Sequence, residues 1–364
     1  MRPSALALAS IALVLSTGAS AHADVTRSLR AELSADPSRP FRVENLVGHM
    51  VVRQGTGPKV VVIATVHGED QRTADMLSLR EVRDSKTGHP TLRVQYPVDQ
   101  HTRYRYGRSG DVEPGFFASL FSGMSNVTYD GRRVAVSAGR GLALYADVVV
   151  ELPRGASGTF KNLVGDLEGK GVEGTLRFDS GSGDIALSEV RGDVTADTGS
   201  GDVNAASGRG SFKCDTGSGD CTLSSFEGEL LDLDTGSGDI NVSSSTARTV
   251  RADTGSGSVS LEVDGTEDVK ADTGSGDVRL DLAGANLTRV SADTGSGDVS
   301  VKLPRSSGFE LRADVGSGDI SSDFSDATPI LERRKVTGYR RGDLAVKVNV
   351  DTGSGDVSVS PGRR

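Results

Sequence analysis

Val269-Lys270-Ala271-Asp272-Thr273-Gly274-Ser275-Gly276-Asp277-Val278-Arg279-Leu280 is one complete unit of a pattern that recurs along the second half of the chain. Up to Thr273 the residues alternate apolar and polar, the period of two that marks a half-buried strand. After the glycines the alternation resumes with opposite parity, Asp277 out and Val278 in. A switch of parity across three residues means the chain turns a corner. Glycine is expected there because corners often demand a positive φ.

The Asp that opens the motif recurs at 179, 197, 215, 234, 253, 272, 293, 314 and 351, nine times in all. Successive intervals are 18, 18, 19, 19, 19, 21, 21 and 37 residues, the last close to two repeats, as if one coil had lost its motif. Apolar residues hold the inward position at Val194, Phe212, Leu231, Val250, Val269, Val290, Leu311 and Val348. Each repeat then reads as strand, Gly-Ser-Gly corner, strand and variable turn. Stacked coils would rise about 4.8 Å each, and none could bury its thin apolar face alone. The expected fold is all-β, a single-stranded parallel β-helix or β-solenoid. A meander or propeller of hairpins is the competing arrangement, but 18 to 21 residues is short for a propeller blade.

Working outward from the array, residues 24–170 lack the motif but keep strand alternation, as in Lys59 to Ala64 and Ala146 to Leu152. They read as an N-terminal β capping region before a repeat array at 171–361. Residues 1–23 carry Arg2, an apolar run from Ala5 to Leu15 and Ala21-His22-Ala23, the form of a cleaved export signal. No later stretch is long and apolar enough for a membrane helix. The expected location is outside the cytoplasm: periplasm, cell surface or medium.

Residues 172–364 hold 33 acidic and 20 basic side chains; the totals of 50 and 41 leave 17 and 21 for the first 171 residues. The array is therefore strongly acidic, which argues against nucleic acid as a partner. Tryptophan is absent and aromatic residues make up 4% of the chain, which suits a thin core with many turns. The segment 96–129 is the exception. Arg103, Tyr104, Arg105 and Tyr106 lead it, with Phe116, Phe117 and Phe121 further on. Its aromatics either pack on the capping sheet or present a partner contact, since Tyr and Arg favour binding hot spots.

Asp-Thr-Gly-Ser is the aspartic-protease tetrapeptide, but that chemistry needs two carboxylates sharing one proton, and here it occurs seven times in one array. The Asp ladders raise calcium as a cofactor, with Asp197, Asp202, Asp215, Asp220, Asp272, Asp277, Asp293 and Asp298 as candidate ligands. The plainer reading leaves the chain without a cofactor and has each Asp accept N–H bonds from its own glycine corner. Cys214 and Cys221 flank one corner at inward positions. They form either a disulfide suited to an oxidising compartment or two small buried residues. His49, His67, His89 and His101 show no metal spacing, and Arg191-Gly192-Asp193 and Arg341-Gly342-Asp343 are chance matches in a chain this rich in Gly and Asp.

The order of parts resembles a bacterial "putative adhesin" family, a β-helical domain of unknown function. The resemblance rests on Val43-Glu44-Asn45-Leu46-Val47-Gly48, on Val148 to Pro153 and on the Gly-Ser-Gly-Asp repeats. It implies a right-handed parallel β-helix at the cell envelope and no enzymatic activity. Three functions follow as expectations: an adhesin-like envelope or surface module; a periplasmic signalling or assembly partner docking through 96–129; and, least supported, a polysaccharide-active β-helix enzyme, which would use aromatic platforms and paired acids.

Overall fold

The computed structural model describes residues 25–34, 39–84, 87–106 and 124–363; the segment 1–23 expected to be an export signal, and Phe116, Phe117 and Phe121, lie outside them. The described chain is nearly all-β, with one short helix at Gln71–Ala74. It divides into two compact units, Met1–Ile185 and Ala186–Arg364.

In the second unit the strands before the corners pair in parallel, like on like. Asp197 lies opposite Asp215, Asp215 opposite Asp234, Asp234 opposite Asp253, Asp253 opposite Asp272, and Asp272 opposite Asp293. The strands after the corners form a second parallel wall, with Val203, Cys221, Ile240, Val259, Val278 and Val299 in one register row. This is a β-solenoid, and the parallel pairing excludes the hairpin arrangement. The alternation holds residue by residue: Val250, Ala252 and Thr254 are buried while Arg251 and Asp253 are exposed.

The corners are held by the threonine of each motif. Thr254 is 1% exposed. Its hydroxyl accepts the N–H of Gly257, three residues on, at 3.1 Å. It also donates to the carbonyl of Gly238 in the preceding coil at 2.8 Å. Thr216, Thr235 and Thr273 repeat both bonds, and Thr294 and Thr352 the second. One hydroxyl thus closes a turn and ties two coils together. The expected positive φ occurs at Gly183, Gly318 and Gly355, and at the other corners the glycines are required for a different reason. A Cβ on Gly219, Gly238, Gly257 or Gly276 would fall onto the carbonyl of the equivalent glycine one coil earlier. Close approach of coils, not a left-handed backbone, excludes side chains here. The serines between the glycines, Ser218, Ser237, Ser256, Ser275 and Ser296, are exposed.

The 37-residue interval is not a coil without its motif. Residues 309–322 form a coil, and an antiparallel hairpin of Thr328–Glu332 and Lys335–Arg341 follows, its second strand pairing back on Phe309–Ser317. The chain then re-enters the array. Glu310 joins these parts, accepting from Lys347 at 2.7 Å and from Arg340 and Arg312 at 3.0 and 3.1 Å. Those cations hold its carboxyl down to about 2.

The first unit uses the same coil geometry without the full motif. Phe41–Val47 pairs in parallel with Ala156–Val164, which pairs with Glu173–Ser182. Asn45 and Asn162 stand in register, fully buried, joined by Asn45 Nδ2 to Asn162 Oδ1 at 3.0 Å. Asn162 also donates to the carbonyls of Gly48 and Gly165 at 2.7 and 2.9 Å, the task threonine performs in the array. Lys59–Gly68 runs antiparallel between Val25–Ser34 and Leu142–Leu152 to complete a sheet.

Replacing Thr254 tests the corner. Thr254→Val keeps the shape but leaves the Gly257 N–H and Gly238 carbonyl buried and unpaired, each worth about 1–3 kcal/mol. Urea denaturation should show a loss of about 2–6 kcal/mol. Thr254→Ser keeps the hydroxyl and should lose only about 1 kcal/mol, the value of one buried methyl.

Candidate functional site

Alternation in the first unit sends one row of side chains outward on each strand of the 59–68 and 142–152 pair. His67 and Tyr145 are direct register partners across that pair, and Asp147 lies two residues further along the same face. The His67 and Tyr145 rings stack at 4.5 Å and 8°. Asp147 Oδ2 lies 2.9 Å from His67 Nε2, and its Oδ1 accepts the backbone N–H of His49 at 2.9 Å. His49 follows the corner glycine Gly48, and its Nε2 is 3.2 Å from Glu168 Oε1. Tyr106 sets its ring edge-on to Tyr145 at 5.2 Å.

The patch is partly exposed, from 18% for the His67 side chain to 44% for Glu168. Burial pushes the Asp147 carboxyl up, but the His67 hydrogen bond and the His49 N–H outweigh it and hold the group below its usual range. Burial pushes Asp166 up, against the N–H of Asp184, which bonds its Oδ1 at 3.1 Å. Tyr106 is raised by burial and by Asp147 and Asp166, so its phenol stays protonated at physiological pH. The result is a stacked aromatic and imidazole surface rimmed by carboxylates. Such a surface can accept a cation over a ring face and offer hydrogen bonds of both signs. Its residues lie far apart in sequence, and only the outward parity of each strand would have signalled them.

Of the residues singled out at 103–106, Tyr106 joins this patch. Arg103 is exposed, but Tyr104 is fully buried and cannot meet a partner. Its ring meets Tyr96 edge-on at 5.4 Å, and Tyr96 likewise meets Tyr129 at 5.8 Å. Strand Arg103–Arg105 pairs with Arg132–Ser137 and Leu142–Leu152, which draws Tyr104 inward while Arg105 stays half-exposed.

The candidate calcium ligands form two outward ladders. The later Asp of a motif bonds across coils. Its carboxylate accepts the N–H of its counterpart in the next coil: Asp202 from Asp220 at 2.9 Å, Asp220 from Asp239 at 2.8 Å, and Asp277 from Asp298 at 2.9 Å. The opening Asp residues, such as Asp197, Asp215, Asp272 and Asp293, stack side by side. Burial and the neighbours Asp215 and Asp253 push Asp234 up, and burial with Asp272 and Asp351 does the same to Asp293. Among the described residues no three His, Cys, Asp or Glu side chains are grouped to hold a metal ion. Cys214 and Cys221 are joined as a disulfide, their Cα atoms 6.6 Å apart and both side chains sealed from solvent. The bridge links the two walls across the core.

Residues 193–360 match the family described as Toastrack DUF4097, a stretch wholly within the second unit. No curated protein matches the chain. Similar crystal structures include a "putative adhesin" from Parabacteroides distasonis, 11% identical over 93% of this chain and 98% of that one, with a TM-score of 0.38. A "putative lipid binding protein" from the same organism is 9% identical over 92% and 97%, TM-score 0.37. A "putative adhesin" from Bacteroides fragilis is 13% identical over 91% and 96%, TM-score 0.33. Likeness at that level says nothing about function.

Two carboxylates should respond to pH with opposite signs. Asp147 is held low, so its contribution to stability is present at neutral pH and lost as pH falls through its folded-state value. Asp147→Asn should melt below the parent at pH 7 and converge with it in acid. Asp234 is held high, so its charged form opposes folding at neutral pH and is relieved as pH falls toward the ordinary carboxylate range. Asp234→Asn should therefore melt above the parent at pH 7, with the gain shrinking in acid and in high salt. Thermal denaturation followed by circular dichroism reads both.

Proposed function

We propose that this chain is an exported, non-enzymatic binding module of the adhesin-like kind, meeting a protein or envelope component through the patch of His67, Tyr145, Asp147 and Tyr106. One observation carries the reading: the repeated chemistry of the array is engaged internally, while the patch leaves ring and carboxylate surface open to solvent. Threonine hydroxyls and the later Asp carboxylates serve backbone N–H groups of the coils. Export is supported by the Ala21-His22-Ala23 leader pattern and by the paired cysteines, which suit an oxidising compartment.

The segment 96–129 supplies Tyr106 to the same surface. Docking of a periplasmic signalling or assembly partner through that segment would therefore use this patch as well. A sheet face at this position is held by hydrogen bonds on both sides of each strand, so it offers a partner a preorganised surface with little ordering cost.

Labelled protein added to isolated envelopes of the producing cells should bind saturably. The double substitution His67→Ala and Tyr145→Ala should weaken binding about tenfold or more, the scale of a hot-spot loss, with unchanged circular dichroism. Undiminished binding by that variant, or release of soluble fragments from envelope polymer, would overturn the reading.

A further inference from the structure

In the second unit, coil order in space departs from coil order in sequence at one place. Strand Arg289–Thr294 is followed in space by Val346–Ser354, and only then by Phe309–Ser317: Asp293 faces Asp351, and Asp351 faces Asp314. The second wall agrees, with Val357 between Val299 and Ile320. So do the carboxylate bonds, Asp356 N–H to Asp298 at 2.8 Å and Asp319 N–H to Asp356 at 2.9 Å. Residues 346–361 are a coil slid between two coils that precede it in the chain.

The slot recognises this coil through the motif. Thr352 donates to the Gly297 carbonyl at 3.1 Å, and Val348 and Val350 stand in register with Val290 and Ala292. These contacts are the same whether the segment belongs to one molecule or another. Only the tether, residues 342–345, favours the molecule's own segment by raising its effective concentration. That tether must straddle a strand, because Lys335–Arg341 and Val346–Ser354 flank Phe309–Ser317 on opposite edges. It crosses over Gly308, where a Cβ would fall onto Asp343. Gly342 and Leu344 both hold positive φ, 61° and 58°, and for leucine that conformation is strained. Short hinges under strain favour exchange between molecules, because the opened hinge straightens.

We propose that the slot between residues 289–303 and 309–322 is a strand-accepting site, and that its alternative occupant is segment 346–361 of a second copy of this chain. Reciprocal exchange gives a two-fold dimer that keeps every coil-to-coil bond and releases the strained crossing.

Ser291 and Asn349 are register partners at outward positions. Full-length S291C and N349C chains are refolded together at high protein concentration and oxidised; the native pair at 214 and 221 is buried and already joined. Exchange predicts a disulfide-linked heterodimer joining S291C to N349C. The doubly substituted chain, refolded when dilute, should close the same bridge within one molecule. Inserting three glycines after Asp343 should lower the heterodimer yield about fivefold or more by relaxing the hinge. A double variant that closes internally while the mixed chains yield no heterodimer overturns the proposal. A double variant that fails to close overturns the inserted-coil register and the proposal with it, and an undiminished yield from the lengthened hinge overturns the role given to strain.

Discussion

A buried hydroxyl shared between coils is the constraint on which the solenoid depends. Thr216, Thr235, Thr254 and Thr273 each receive a glycine N–H from their own corner and give their proton to a glycine carbonyl one coil earlier. Those backbone groups lie where strand pairing stops, and leaving them unpaired in the core would cost about 1–3 kcal/mol each. The bond also explains why neighbours must be alike. A threonine can reach its carbonyl only if the previous corner sits directly beside it, and the glycine must be bare to let it do so. Small inward residues such as Ala252 and Ala271 follow from the same closeness of walls, and so does a core that needs few aromatic rings.

Like-on-like stacking has an electrostatic cost that the structure offsets unevenly. The later Asp ladder is compensated, each carboxylate taking a backbone N–H from the coil beyond it. In the opening ladder, burial and the neighbouring carboxylates together raise Asp234 and Asp293. On the outer face Lys213, Asp232, Arg251 and Lys270 fall in one register column, which sets cations beside the acidic rows. Salt screens such exposed charges. The array therefore draws its stability chiefly from the neutral threonine bonds and apolar burial.

Much of this was legible in the sequence. The alternation around Val250 and Val278 and the constancy of the corner were enough to give strand, corner and parallel stacking. The order of the last coils was not legible, because the motif at Asp351 fits against any other copy. Repetition that makes the fold readable erases the information that would rank its parts. The first coil was hidden for a different reason: asparagine replaces threonine there. The shared tetrapeptides Asn45-Leu46-Val47-Gly48 and Asn162-Leu163-Val164-Gly165 were the available signal. His49, His67, Tyr106, Tyr145 and Asp147 come together only through antiparallel and corner geometry, which no local window contains.

The exposed serines at the corners have a consequence of a practical kind. Each sits between two glycines that cannot vary, yet its own side chain meets only solvent, and successive ones repeat at the spacing of neighbouring strands, about 4.8 Å. Positions 218, 237, 256, 275 and 296 thus form a ruler whose marks can be rewritten without touching what holds them in line. Chemical groups attached there would stand in single file at near-molecular pitch, a regularity that flexible polymers and loop-borne sites do not provide.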